Sequence, residues 1–109
     1  MIKYPTNYDI YIETGGEKIA VVLSYNAKHN NNGQYVIELN RIYLTDEAIR
    51  HGVNIYGLKD FDFIVQKHDR IIKYTGCNWC PIEKSGYNTM IIDKMIIVAK
   101  NRKEEERKA

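Results

Sequence analysis

The sequence predicts one mainly-β domain, an antiparallel β-sandwich or barrel of six or seven strands with one short helix. Three observations predict it. Short runs rich in β-branched and aromatic residues recur along the chain, turn residues separate them, and no helical segment is long enough for the crossovers of a parallel sheet. With 109 residues, of which 44% are hydrophobic and 28% charged, the chain matches a single globular core. We expect that domain to span residues 1–100.

The first two strands are predicted to form a hairpin. Residues 8–13 alternate loosely between apolar and polar side chains, and residues 18–25 form a second β-rich run. Gly15 and Gly16 lie between the two runs, and both can take the positive φ angles that tight hairpin turns require. This is the clearest local signal in the sequence.

The third strand is predicted over residues 34–44, after a polar loop at residues 29–33. Its alternation slips near Arg41, which indicates a bulge or a bend. Before the slip the alternation is regular, from Tyr35 to Asn40.

Residues 45–52 are the one helical candidate. Thr45 can cap the amino end, the acids that follow suit the positive end of the helix dipole, and Gly52 can terminate the last turn. A helix of at most two turns is marginal alone in water, so packing through Ala48 and Ile49 is expected to hold it.

The second half of the chain predicts another hairpin and a long final strand. Residues 58–67 alternate cleanly, residues 68–70 form a tight turn, and residues 71–74 form the returning strand. Residues 89–100 are the most apolar run, and their β-branched content favours a strand. Residues 101–109 carry mainly charges, which predicts a flexible C-terminal tail.

Cys77 and Cys80 form a C-x-x-C pair, which is the spacing of redox sites and of half a zinc site. Zinc would need two further ligands from His29, His51 and His68, none of which has a partner at ligand spacing. Redox chemistry would need a helix beginning at the first cysteine. We therefore interpret both as small, partly buried thiols beside Trp79 and keep them only as weak metal candidates.

The acidic residues do not predict a catalytic site. Alternation places Asp60 and Asp62 opposite Phe61 and Phe63, on the solvent side of a half-buried strand. Nothing there supplies the burial that raises a carboxyl pKa for acid–base work. Phosphate-binding glycine motifs are absent from the sequence. We expect no enzyme activity, no cofactor and no small-molecule substrate.

The aromatic content allows a second hypothesis. Nine tyrosines and one tryptophan could stack single-stranded nucleic acid, as in small OB-type barrels. The net charge of +2 and the pI of about 8.5 are low for that function. Tyrosine is also common in strands and at protein interfaces. A nucleic-acid-binding barrel therefore stays an alternative, ahead of a metal or redox protein.

The order of elements resembles the phage tail tube family. The resemblance rests on the opening hairpin, with its glycine-lysine turn and its second strand ending at Ser24-Tyr25, and on residues 61–79. It is completed by the long strand that finishes at Lys100. The family implies two packed antiparallel sheets, a short flanking helix and hexameric rings stacked into a conduit for DNA. The segment 26–32, where such proteins often have a long inter-strand loop, is short and polar here, so a tail-completion or baseplate-adjacent protein fits as well.

The resemblance implies a structural virion protein made in the bacterial host cytoplasm. Its partners would be other copies of itself and further tail or baseplate proteins, with non-specific passage of DNA and no membrane contact. The expected interface residues combine the polar loop with aromatic side chains: Asn30, Asn31, Asn32, Tyr35, Tyr43, Trp79 and Tyr87.

Overall fold

The computed structural model describes residues 9–80 and 91–106, and within them seven strands form one antiparallel sheet. The mainly-β fold class is confirmed. A short helix, α1, and a 3-10 turn connect the third and fourth strands. In chain order the elements are β1 (Ile10–Thr14), β2 (Glu17–His29), β3 (Tyr35–Leu44), α1 (Asp46–Arg50), the 3-10 turn (Ile55–Gly57), β4 (Lys59–Gln66), β5 (Arg70–Trp79), β6 (Ile91–Ala99) and β7 (Asn101–Glu106).

Six of the strands close into a barrel. They are hydrogen-bonded in the order β4-β1-β2-β3-β6-β5, and an additional pairing of β4 with β5 joins the two ends. The sequence predicted either a sandwich or a barrel, and this one pairing makes the fold a barrel. Within the described residues, β7 pairs with β5 alone and lies outside the closed ring.

The predicted hairpin turn is confirmed. β1 ends at Thr14 and β2 begins at Glu17, while Gly15 and Gly16 have φ angles of 58° and 80°. Side chains are disfavoured at such angles, and glycine removes that cost. Tyr8, the first residue of the predicted alternation, lies outside the described residues.

The predicted slip in the side-chain alternation at Arg41 is confirmed, and the neighbouring strands β2 and β6 change phase at the same level. Arg41 has a φ of 58°, and the inward-facing positions of β3 change phase there. Two rows of paired residues point inward on either side of this level, separated by three residues along each strand instead of two. One row is Val22, Ile42 and Ile92, and the other is Tyr25, Leu39 and Met95. Outside the barrel at this level, Arg41 pairs with Asp93 at 3.4 Å.

Aromatic rings fill one part of the core. Phe61 and Phe63 are fully buried on β4. The Phe63 ring lies 5.5 Å from Tyr25 and 5.9 Å from Tyr74, and Tyr74 in turn lies 5.7 Å from Tyr35, measured between ring centroids. These distances are typical of favourable aromatic pairs. The alternation predicted for β4 therefore places its phenylalanines inside.

The helix forms where it was predicted, with one difference in packing. The Thr45 hydroxyl accepts a hydrogen bond from the Ala48 amide and donates to the Lys18 carbonyl at 3.0 Å, which ties the cap to β2. Ala48 is buried, but Ile49 is 36% exposed. The expectation that Ile49 helps to hold the helix is wrong, because a single turn directs only one of these adjacent side chains to the barrel.

The expectation of a flexible tail from residue 101 is also wrong for residues 101–106. They form β7, antiparallel to β5, with Asn101 opposite Thr75 and Glu106 opposite Arg70. The physical reason is that β4 occupies only one edge of β5, while β6 reaches the other edge only at Asn78 and Trp79. The remaining backbone groups on that edge are satisfied by the chain that follows β6.

Gly76 allows β5 to bulge beside the junction of β6 and β7. Its φ is 63°, and the register between β4 and β5 shifts where it lies. A Cβ atom at this position would lie 3.2 Å from both Cβ and Cδ of Lys100. Both the backbone angle and the close neighbour therefore favour glycine.

We expect Gly76→Ala to lower the free energy of unfolding by about 1–3 kcal/mol, because it combines a left-handed backbone with a close contact. Gly33→Ala is a matched control, since Gly33 also has a positive φ but no atom within 4 Å of the added Cβ. Gly57→Ala has neither problem and should be nearly neutral. The urea concentration at the unfolding midpoint should be highest for the Gly57 variant, lower for the Gly33 variant and lowest for the Gly76 variant. Equal midpoints for the Gly57 and Gly76 variants would contradict the argument.

Candidate functional site

The candidate site is the outer edge of β7. Within the described residues, one edge of β7 is paired with β5 and the other has no strand beside it. All six residues of β7 are exposed. Every second residue of an antiparallel strand directs its amide and carbonyl groups away from the paired neighbour, so this edge presents hydrogen-bonding groups to a further strand.

Charged side chains hold β7 against β5. Arg70 donates to the Glu104 carboxylate at 2.7 Å, and Arg102 approaches the other oxygen of the same carboxylate at 3.3 Å. The hydrogen bond from Arg70 lowers the pKa of Glu104, and the same bond raises the pKa of Arg70. Arg102 also lies over the Tyr74 ring, 5.9 Å from its centroid. Glu104 therefore stays ionised, with two guanidinium groups beside it.

The positive and negative charges along β7 are separated along the strand. Arg102 and Lys103 come first, and three glutamates follow at residues 104–106. Lys103 lies opposite Lys73 of β5, and Lys73 is paired with Asp62 at 3.7 Å. The edge thus has a basic half and an acidic half within six residues.

A cluster of rings lies between β2, β3 and β5. Tyr35 packs against His29 at 4.8 Å and against Tyr74 at 5.7 Å. Tyr25 is half-buried against Phe63, and burial raises its pKa. The rings contact one another, and Tyr74 is only 4% exposed. A stacking platform for bases needs exposed ring faces. Tyr74 offers none, Tyr25 and Tyr35 are half-buried, and His29 is the one exposed ring of this cluster.

The predicted interface residues occupy different environments. Asn30 closes the loop between β2 and β3, since its side-chain oxygen accepts from the amides of Asn32 at 3.0 Å and Gln34 at 2.9 Å. Asn31 and Asn32 are exposed. The three aromatic candidates on described strands are Tyr35 and Trp79, which pack on the core, and Tyr43, which is half-buried on β3.

The Trp79 ring lies 4.9 Å from Phe61 between centroids, and its Nε1 atom is buried with no hydrogen-bond partner in the described structure. Tyr87 lies outside the described residues. Of the predicted interface residues that the structure describes, only Asn31 and Asn32 are exposed.

The two cysteines differ in environment. Cys77 is fully buried in the core and its thiol donates to the Tyr74 carbonyl at 3.4 Å, whereas Cys80 is half-buried just beyond β5. Burial raises the pKa of Cys77 to about 12 and also raises the pKa of Cys80. Among the described residues, no three histidine, cysteine or acidic side chains are grouped to hold a metal ion. The thiolate form that redox and metal chemistry require is disfavoured at Cys77.

The acids of β4 point outward, as the alternation predicted. Asp62 pairs with Lys73, and Asp60 lies 4.0 Å from the Lys100 ammonium group. A shallow open groove lies between α1 and the turn that joins β1 to β2. It is lined by charged and polar residues: Gly16, Glu17, Lys18, Thr45, Asp46, Glu47 and Arg50. Neither place has a buried titratable group suited to acid–base catalysis.

A scan of protein-family models and searches of curated proteins and of solved structures found nothing that matches this chain. Within the part of the chain that the structure describes, neither helical segment is long and apolar enough to cross a membrane.

Sequence reasoning missed the edge of β7 altogether. Residues 101–106 have no apolar position, so no hydrophobic alternation marks them as a strand. One signal in the sequence could have indicated it, namely the division of its charges into two bases followed by three acids.

Proposed function

We propose that this chain is a structural, self-assembling subunit of a phage tail or a phage-derived particle, acting through protein–protein contacts. The observation that carries the proposal is the strand β7, which stands outside a closed barrel with an open edge. Exposed sheet edges readily pair with strands of other chains. The resemblance of the opening hairpin and of the second half of the chain to tail tube proteins supplies the class of particle.

The barrel and the edge support this function in different ways. Closure through β4 and β5 pairs six strands with one another, and β7 of the same chain covers the remaining edge of β5. The subunit can therefore fold alone and still offer β7 to a neighbour. The charged side chains of β7 limit uncontrolled aggregation, because charges on an edge disfavour pairing with unsuitable strands.

The position in the particle follows from the resemblance. We propose a tube subunit, or a tail-completion or baseplate-adjacent protein, that forms homo-oligomeric rings with non-specific passage of DNA. Its location would be the virion, after synthesis in the host cytoplasm. The short loop between β2 and β3, only residues 30–34, favours a place at an end of the tube over the repeating part of it.

Self-association should appear when the purified protein is concentrated. We expect sedimentation velocity to show larger species as concentration rises, and negative-stain images to show rings or short tubes. Leu23→Ser is a useful control, because Leu23 is the large apolar residue most exposed in the described structure, at 56%. If the β7 edge carries association, this variant should assemble like the parent.

A protein that stays monomeric at every concentration and joins no particle would count against the proposal. Retention on single-stranded oligonucleotides that weakens steeply with salt would instead favour the nucleic-acid-binding alternative. The two experiments therefore separate the two functions.

A further inference from the structure

The charges of β7 are opposite in sign on the two sides of Glu104. Arg102 and Lys103 precede it, and Glu105 and Glu106 follow it. All of these residues are exposed on a strand whose outer edge has no partner in the described structure. A strand with this order of charges is complementary to a second copy of itself that runs in the opposite direction.

We propose that two copies of this chain join by antiparallel pairing of their β7 edges, in a register centred on Glu104. This inference rests on the proposed self-assembly and names its partner and its geometry. About a two-fold axis through that centre, Arg102 of each copy lies opposite Glu106 of the other, and Lys103 lies opposite Glu105. Directly opposed side chains of opposite charge stabilise a strand pair, while like charges destabilise it.

Other pairings of the same edge are less favourable. Antiparallel strands related by a two-fold axis place a residue opposite its own copy at the centre, so the neighbouring symmetric register is centred on Lys103. That register opposes two lysines and places Asn101 against Glu105, so Arg102, opposite Glu104, is the one base that keeps an acidic partner. The register centred on Glu105 opposes acids at three successive positions. Parallel in-register pairing places every charge beside its own kind. Only the register centred on Glu104 matches both bases with acids.

The centre of the proposed contact brings two glutamates together, and each is already compensated within its own chain. Glu104 is held by Arg70 at 2.7 Å and by Arg102 at 3.3 Å. These guanidinium groups offset the repulsion between the two carboxylates. The central position therefore does not oppose the pairing that the flanking charges favour.

The symmetry has a consequence for assembly. A two-fold contact uses the same surface on both subunits, so by itself it gives a dimer and cannot close a ring of six. In a particle it would join two rings face to face, or pair a terminal ring with another copy. An edge of six residues is small for a stable interface, so we expect weak association that other contacts reinforce.

Two single charge reversals test the register. Lys103→Glu places an acid opposite Glu105 of the second copy, and Glu105→Lys places a base opposite Lys103 of the second copy. We expect each variant alone to associate at least about tenfold more weakly than the parent, because two symmetric pairs change from attraction to repulsion. An equimolar mixture should regain parental association, because both pairs are then again of opposite sign.

Folding should survive these changes. Lys103 faces Lys73 across β5 and Glu105 faces Ile71, and neither forms an ion pair in the described structure that a reversal would break. Melting temperatures measured by circular dichroism should confirm this for each variant. Raising the salt concentration should reduce the difference between the variants, because exposed charge pairs are screened.

The outcomes separate this inference from the proposed function. A parent that never associates would remove both. A parent that associates equally well with either reversal, or a mixture that stays as weak as the single variants, would overturn the β7 pairing and leave self-assembly standing. Should a reversal fail to fold, Lys103→Cys and Glu105→Cys in a Cys80→Ser background give a second test. The mixture should form a disulfide-linked dimer faster than either variant alone, and equal rates would overturn the register.

Discussion

Phe63→Ala should lower the free energy of unfolding by about 3–5 kcal/mol. Phe63 is fully buried, and its ring contacts both Tyr25 and Tyr74, so truncation leaves a cavity between β2, β4 and β5. Domains of this size have a total stability of about 5–15 kcal/mol. The variant should therefore unfold at a much lower urea concentration, measured by tyrosine fluorescence or circular dichroism.

Two substitutions control this experiment. Phe63→Leu keeps most of the volume and should cost clearly less than the alanine variant. Leu23→Ala removes a large side chain that is 56% exposed and should change stability by less than about 0.5 kcal/mol. A Phe63→Ala protein within about 1 kcal/mol of the parent would show that this ring does not organise the core.

The protein should lose stability as the pH rises above about 9, and Cys77 should account for a defined part of that loss. Its thiol has an ordinary pKa of 9.0, and burial raises the value to about 12 in the folded state. The unfolded chain therefore releases this proton first, which favours unfolding at alkaline pH. The expected loss is about 1.4 kcal/mol per pH unit between these values, or about 2 kcal/mol by pH 10.5.

Cys77→Ala isolates this contribution. The variant is expected to be less stable than the parent near pH 7, but its stability should fall less steeply between pH 9 and 10.5. Burial also raises the pKa of Tyr11 and of Tyr25, and their contribution is the same in both proteins. Urea unfolding curves at pH 8, 9 and 10.5 measure the two slopes. Identical slopes would mean that the Cys77 thiolate is not excluded from the folded core.

Features set by neighbouring residues could be predicted from the sequence. The turn at Gly15-Gly16, the slip at Arg41 and the cap at Thr45 each depend on a few adjacent residues, and all three are present in the structure. The inward position of Phe61 and Phe63 followed from alternation alone. Local backbone preference and side-chain period were sufficient for these features.

Features set by distant pairing could not be predicted in this way. The barrel depends on β4 meeting β5, where two register shifts adjust the fit. β7 depends on the spare edge of β5 and on Arg70, which bonds Glu104 from 34 residues away. A strand of charged residues has no apolar face to mark it. For this reason the alternation of apolar and polar residues could not predict β7. The same alternation could predict the polar loop with the exposed Asn31 and Asn32, because the loop interrupts it.

The placement of β7 outside the ring of paired strands has a consequence for how this protein can vary. All six residues of that strand are exposed, and in the described structure only Arg102 and Glu104 contact side chains of β5, namely Tyr74 and Arg70. The other four positions can vary without the loss of a side-chain contact to β5 described above. Under the proposed assembly, the residues that meet a neighbouring subunit are therefore largely distinct from those that form the core.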